Sequence, residues 1–325
     1  MTAPLTVAVT GPTGTFGLSL VPLLERDERV GRVVGIARRP FDPLERGWTT
    51  MTYRRGDVRD LDALRAAFDG VDVVVHLAFQ IIGGGTSHAT NVEGTLNAFR
   101  AAADAGARRF VYASSVAAYG FHADNPVSIG EDWATRPAGR LVYAQEKAGL
   151  EGLLQREASA HPGLSLYLLR PPIVLGPDAV GGKVAVPRLL SDLTRGAARA
   201  MRHVPRLPVA VPDLPLQLIH QDDVAEALLL CVVGAGDPGA YNIAADDVVS
   251  SVDIARELGL RVLPVPGAPV AAAARAVARL PFLPTAAQWV ETLGHPVIMD
   301  TTKARTRLGW TPRYTAIEAV RSTFA

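Results

Sequence analysis

Three side chains have the types and spacing needed for proton transfer at an alcohol or carbonyl oxygen: Ser115, Tyr143 and Lys147. Tyr143 and Lys147 stand four apart in a segment that reads as helical from Leu141 onward, so they project from one helix face, one above the other. A phenol with a pKa of about 10 is a poor base at neutral pH. An ammonium one turn away favours the phenolate and brings proton exchange within reach. Ser115 follows Arg109–Ala113, a run that reads as a strand, and from that strand's carboxyl end its hydroxyl can bond the same substrate oxygen. A Tyr-x-x-x-Lys pair is also an ordinary surface pairing, so the rest of the chain must decide between the two readings.

The decisive stretch is LTVAVTGPTGTFG, Leu5 to Gly17. An apolar run, Leu5–Val9, stops at Thr10 and opens into Gly11, Gly14 and Gly17, with the amphipathic segment Phe16–Arg26 directly behind. Strand, glycine turn and helix start let backbone N–H groups and a helix N-terminus face a diphosphate. Gly11 permits the tight turn, Gly14 the approach of a dinucleotide, and Gly17 the packing of helix on strand. With an oxidised nicotinamide beside Tyr143, its positive charge joins that of Lys147 in favouring the phenolate.

The elements that must position these groups follow in order. Arg32–Ala37 reads as a second strand and ends in Arg38-Arg39-Pro40. An acid at such a strand end accepts hydrogen bonds from the adenosine ribose, whereas arginines attract a 2′-phosphate. With Ala37 at the acid's position, the sequence favours NADP over NAD; the other reading of Arg38 and Arg39 is a solvated cluster. Thr50–Tyr53 reads as a third strand, followed by Gly56-Asp57-Val58-Arg59-Asp60. Asp57 is placed to accept the adenine amino group and Val58 to pack on the ring, with helix capping by Asp57 or Asp60 as the alternative. Val71–Ala78 is a nearly continuous apolar run, as for a parallel strand buried on both faces, and makes His76 a satisfied core histidine rather than a catalyst. Gly83–Gly85 reads as a flexible loop, Thr86–Ala105 as a long helical region and Leu164–Leu169 as a sixth strand. Leu216–His220 reads as a strand returning to the sheet, Asp222–Val233 as a helix and Tyr241–Ala244 as a short strand.

This alternation predicts an α/β fold, a doubly wound parallel sheet of Rossmann type with a smaller C-terminal substrate lobe. The expected domains are a dinucleotide-binding unit over 1–176, with a returning segment over 216–246, and a substrate-binding lobe over the rest of 177–325. An Ala-rich segment, Ala268–Leu280, reads as a packed helix of that lobe rather than a membrane-surface element.

At 325 residues and 48% hydrophobic, the chain can bury a core larger than one minimal domain. A net charge of +1 gives no electrostatic reason for nucleic acid or anionic lipid as main partner. The single Cys231 excludes an intrachain disulfide and a CxxC metal site, and no metal is expected. The sequence reads as cytoplasmic, with no secretory signal and no apolar run of the roughly 20 residues that span a bilayer.

The chain is similar to the extended short-chain dehydrogenase/reductase family, the NAD(P)-dependent epimerase/dehydratase group. Thr10–Gly17 resembles its TGxxGxxG loop, Gly56-Asp57-Val58 its adenine turn and His76-Leu77-Ala78 its HLAA. Asn91–Thr95 resembles NVxGT, Ser114–Gly120 SSxxxYG, Tyr143–Lys147 YxxxK and Arg170–Pro177 RxxNvyGP. His220–Ala225 resembles HVxDvA, and Leu308–Pro312 the terminal LGWxP. The resemblance implies Ser115, Tyr143 and Lys147 as the catalytic set, with Lys147 also gripping the nicotinamide ribose. It implies cofactor contacts from Thr13, Thr15 and Phe16 in the glycine loop, from Leu77, Ala78 and Phe79 along the cleft, from Asn91 and Ala113, and from Pro172 near the nicotinamide. It also implies a homodimer, through the helix containing Tyr143 and the one after Asn91.

Two departures bear on substrate. Sugar-nucleotide epimerases of the family hold the substrate diphosphate with an asparagine in RxxN and an arginine shortly before HVxD; here those places are Ile173 and Leu216. Arg188, Arg195, Arg202 and Arg206 in the lobe are candidate substitutes. The apolar replacements point to interconversion of a secondary alcohol and a ketone. A sugar-nucleotide epimerase/dehydratase is the first alternative and a non-catalytic cofactor-binding regulator the second.

Overall fold

A computed structural model describes residues 3–81, 87–137, 139–179, 208–278 and 285–324. Strands β1 (Leu5–Thr10), β2 (Val30–Ala37), β3 (Met51–Arg55), β4 (Val73–His76), β5 (Arg109–Ala113), β6 (Ser165–Arg170) and β10 (Gly239–Asn242) form one seven-stranded sheet. Its order is β3-β2-β1-β4-β5-β6-β10, with every neighbouring pair parallel. The order reverses between β1 and β4, the switch point at whose carboxyl edge open α/β sheets bind ligands.

The central strands are apolar on both faces because both are covered. Val7, Val9, Val73, Val75 and Val111 point into one core with helices α1 (Thr15–Arg26) and α5 (Gln221–Val233). Ala8, Val74, Phe110 and Tyr112 alternate onto the other, with α2 (Leu61–Ala67), α3 (Gly94–Asp104) and α4 (Val142–Ala160). Asp60 caps α2 by accepting from the Ala63 N–H at 3.0 Å. The helical region before α3 opens with a π-type turn, Ala89–Glu93.

Leu216–His220 does not return to the main sheet. It belongs to β9 (Pro215–His220), which pairs parallel with β7 (Ile173–Leu175) and antiparallel with β11 (Val248–Ser250) in a separate three-stranded sheet. The seventh place beside β6 goes to β10, whose Tyr241 and Asn242 are fully buried there. A third sheet pairs β8 (Val209–Asp213) with β12 (Val262–Pro266). Helices α6 (Ser251–Glu257), α7 (Gly267–Ala278) and α8 (Ala316–Phe324) complete the described chain. The Ala-rich segment is α7, which buries Ala271 and Ala274, and Arg275 Nη1 donates to the Gly294 carbonyl at 2.9 Å. Gly83–Gly85 and Arg188, Arg195, Arg202 and Arg206 lie outside the described residues. No helix among the described residues is long and apolar enough to cross a membrane.

Candidate active site

The glycine turn has the geometry its residues require. Gly11 has φ +73°, and a Cβ there would stand 3.1 to 3.3 Å from the Ala78 and Leu77 backbone. At Gly17 a Cβ would lie 2.3 Å from the Pro12 carbonyl oxygen, so only glycine lets α1 pack so closely on the turn. Gly14 differs: among the described residues a Cβ there meets only the Gly11 carbonyl oxygen, at 3.4 Å, and the residue is exposed. Gly14 is also the N-cap of α1, which brings no side chain of its own to cap the helix, and the first turn carries no acid. A helix N-terminus with a glycine cap at the sheet's switch point fits a dinucleotide diphosphate. Thr13 is half-buried beside it, Phe16 is buried, and Thr15 Oγ1 donates to the Asp178 carbonyl at 3.1 Å.

Around this cradle the strand ends are tied together. Thr10 Oγ1 accepts from the Leu77 and Ala78 N–H groups at 3.2 and 3.4 Å, bringing the segment after β4 alongside the turn. His76 lies between Thr10 Oγ1 at 2.9 Å and Thr95 Oγ1 at 3.0 Å, and burial, with the charge of Lys147, pulls its pKa down to about 3. It is the neutral core histidine its surroundings in sequence predict. Asn91 accepts from the Gln80 N–H at 2.8 Å and donates to the Gln80 carbonyl at 2.9 Å and to Glu146 at 2.7 Å, clamping this segment to α4.

At the end of β2, Arg38 and Arg39 are exposed. With the Gln80 amide oxygen turned toward it, Arg38 donates to Gln80 at 2.7 and 3.0 Å. Arg39 contributes its carbonyl, which accepts from the Tyr53 hydroxyl. Asp57 does not cap a helix. It receives the Arg59 guanidinium at 2.7 and 3.1 Å, and these bonds lower its pKa. Val58 is buried under Gly94, where a Cβ would come within 2.4 Å of it.

The proposed catalytic groups converge at the carboxyl ends of β4 and β5. Ser115 is buried, and its Oγ accepts from the Ala117 N–H at 3.2 Å. Burial pushes the Tyr143 phenol above its ordinary pKa, and the neighbouring Ser115 hydroxyl opposes that rise. Lys147 is buried with its ammonium 5.9 Å from the Tyr143 ring centre. It donates to the Ala113 carbonyl at 2.7 Å and to the Tyr112 hydroxyl at 3.0 Å. Phe79 meets Tyr143 edge-on at 5.7 Å between ring centres and lies under the Lys147 ammonium at 3.8 Å. Pro172 is half-buried just past β6, after Pro171, whose carbonyl accepts from the Val116 N–H at 2.9 Å.

Several participants carry no local sequence signal. Trp289 packs on Tyr143 with ring centres 5.5 Å apart, from a 3-10 segment, Thr285–Leu293, that is remote in sequence. Glu151, fully buried on α4, receives Ser114 Oγ at 2.5 Å and Arg170 Nε and Nη2 at 2.9 and 2.5 Å. Arg170 Nη1 continues to the Tyr119 hydroxyl at 2.6 Å, which donates to Asn242 at 2.8 Å. Burial opposes the charge on Arg170, but the bonds and charge of Glu151 outweigh it and raise its pKa. This network ties the ends of β5, β6 and β10 together through Ser114, the chain neighbour of Ser115.

A parallel sheet with a glycine-capped helix N-terminus at its switch point is the architecture of dinucleotide-binding proteins. Residues 7–244 match the NAD dependent epimerase/dehydratase family, and the chain belongs to that family. It is 28% identical to an uncharacterized protein of Mycobacterium tuberculosis over 332 positions, covering 97% of this chain and 82% of that one. It is 32% identical over 231 positions to sterol demethylase protein B of Methylococcus capsulatus, covering 69% and 65%. Among solved structures it resembles MoeE5 in complex with UDP-glucuronic acid and NAD, at 26% identity and a TM-score of 0.69, over 98% of this chain and 97% of that one.

Proposed function

We propose that the chain is an oxidoreductase that interconverts a secondary alcohol and a ketone with a nicotinamide cofactor. The observation that carries this reading is the buried Lys147 ammonium 5.9 Å from the Tyr143 ring centre, with the Ser115 hydroxyl buried past the end of β5. When bound, the nicotinamide supplies hydride acceptance and donation. Ser115 orients the substrate oxygen. Tyr143 takes the hydroxyl proton of an alcohol, or returns it to a ketone oxygen. Lys147, one turn along α4 from Tyr143, would hold the ribose hydroxyls of the cofactor, and its charge would favour the phenolate.

Apolar side chains support an apolar substrate. Ile173 is 51% exposed at the start of β7, and Leu216 is half-buried on β9. The relative named sterol demethylase protein B agrees with that class. Arg38, exposed and held by neutral Gln80, supports NADP as the preferred cofactor. A second reading, transient oxidation of a sugar nucleotide, is favoured by the likeness to MoeE5 bound to a UDP-sugar and NAD. A homodimer and a cytoplasmic location complete the proposal; light scattering of the purified chain reads the former.

The test is a panel of secondary alcohols, ketones and UDP-sugars, followed by the absorbance of reduced nicotinamide. Net reduction or oxidation with an apolar ketone or alcohol, abolished in Tyr143→Phe while cofactor still binds, is the expected result. Near-normal turnover in Tyr143→Phe would overturn the assignment, and epimer formation with no net absorbance change would establish the second reading. Arg38→Ala should weaken NADP more than NAD; tighter NAD binding unchanged by Arg38→Ala would refute the cofactor preference.

A further inference from the structure

An ammonium taken out of water costs several kcal/mol unless its N–H groups are matched. Lys147 is 3% exposed, so its surroundings must supply that match. Among the described residues they include the Ala113 carbonyl at 2.7 Å, the Tyr112 hydroxyl at 3.0 Å, and the ring faces of Phe79 at 3.8 Å and Tyr112 at 4.6 Å. Aromatic faces within about 6 Å attract a cation through the ring quadrupole, and more strongly when water is excluded.

Tyr112 reaches this place through the pleat of β5. Phe110 and Tyr112 alternate onto the face covered by α3 and α4, while Val111 faces the opposite core. In register, Tyr112 lies opposite His76 on β4 and Leu168 on β6, and its ring stacks on His76 at 6.1 Å. At 1% exposure a phenylalanine would fill the same volume with no polar oxygen to desolvate. The hydroxyl is accounted for by its bond to Lys147.

We propose that Tyr112 is a positioning residue for Lys147: its hydroxyl, with the ring of Phe79, forms the seat in which the buried ammonium is held charged beside Tyr143. The consequence for turnover rests on the function proposed above, whereas the seat rests on the contacts alone. Among the described residues, the titratable groups around it are His76 on β4, Tyr112 on β5, and Tyr143, Glu146 and Glu151 on α4.

The chain has only three lysines, Lys147, Lys183 and Lys303, so lysine labelled with 13C at Cε gives three resolvable signals. Each is followed through a pH titration of the full chain without cofactor, with Lys183→Arg and Lys303→Arg providing assignment. In Tyr112→Phe the titration midpoint of Lys147 falls by about one unit or more, because a hydrogen bond to the charged form is lost. In Phe79→Leu it also falls, while Lys303, which donates to the Ala240 carbonyl, stays fixed as an internal reference. An unchanged Lys147 midpoint in both variants overturns the proposal. A purely structural role for Tyr112 would lower the unfolding temperature and leave that midpoint in place. Neither outcome depends on turnover, so a failure of the catalytic reading is separately visible.

Discussion

Glu151→Gln should destabilise the chain by about 3–5 kcal/mol, the cost of removing one partner from a buried ion pair. Glu151 has no exposed surface and its partner Arg170 is 3% exposed, so water cannot rescue the guanidinium. The substitution keeps the side chain's shape, while one carboxylate oxygen facing Arg170 or Ser114 becomes an amide nitrogen with only protons to offer. In a chain of this size each kcal/mol moves the unfolding midpoint by about 2 °C, giving a fall of roughly 6–10 °C in calorimetry of the cofactor-free protein. Replacing both partners by methionine should cost less than the sum of the single changes, because apolar groups of similar volume leave no charge unpaired. A Glu151→Gln loss below about 1 kcal/mol would refute the view that this pair ties the strand ends together.

The glycines of the turn should separate packing from ligand approach. Gly17→Ala, whose Cβ would strike the Pro12 backbone, should lower stability by about 2 kcal/mol or more and abolish cofactor binding. Gly14→Ala should cost about 1 kcal/mol or less yet weaken cofactor binding at least about tenfold; equal effects of the two on stability would contradict this reading of the turn. His76 gives a pH dependence of definite sign. Its folded pKa of about 3 lies below the ordinary histidine value, so the unfolded chain binds the proton first. The stability it contributes is present above pH of about 6.5 and is lost as pH falls toward 3, on the order of 5 kcal/mol in all. His76→Asn should flatten the midpoint-against-pH curve across that window, and an unaltered slope would count against the assignment.

The parts of the fold that were legible in sequence are those where local pattern and tertiary environment ask for the same thing. Strands buried on both faces had to be continuous apolar runs, so β1, β4 and β5 were plain, and His76 could be recognised as a core residue from its apolar neighbours. Asp60 caps α2 as its position before the helix allows, whereas Asp57 meets Arg59, a choice of partner that spacing alone left open. The destination of Leu216–His220 was not legible, because a strand's apolar pattern says that it is covered and not which sheet covers it. Glu151, Tyr112 and Trp289 were hidden for a related reason. An acid on a helix, a tyrosine in a strand and a tryptophan in a remote turn look ordinary until the fold gives them Arg170, Lys147 and Tyr143 as neighbours.

The most direct test of the central claim is a crystal structure of the full chain with NADPH. The account predicts the diphosphate over the N-terminus of α1, the nicotinamide beside Tyr143, and its ribose hydroxyls within hydrogen-bond reach of Lys147 and the Tyr143 phenol. A nicotinamide ring lying away from Tyr143, or a berth beside Ser115 filled by protein side chains, would contradict it.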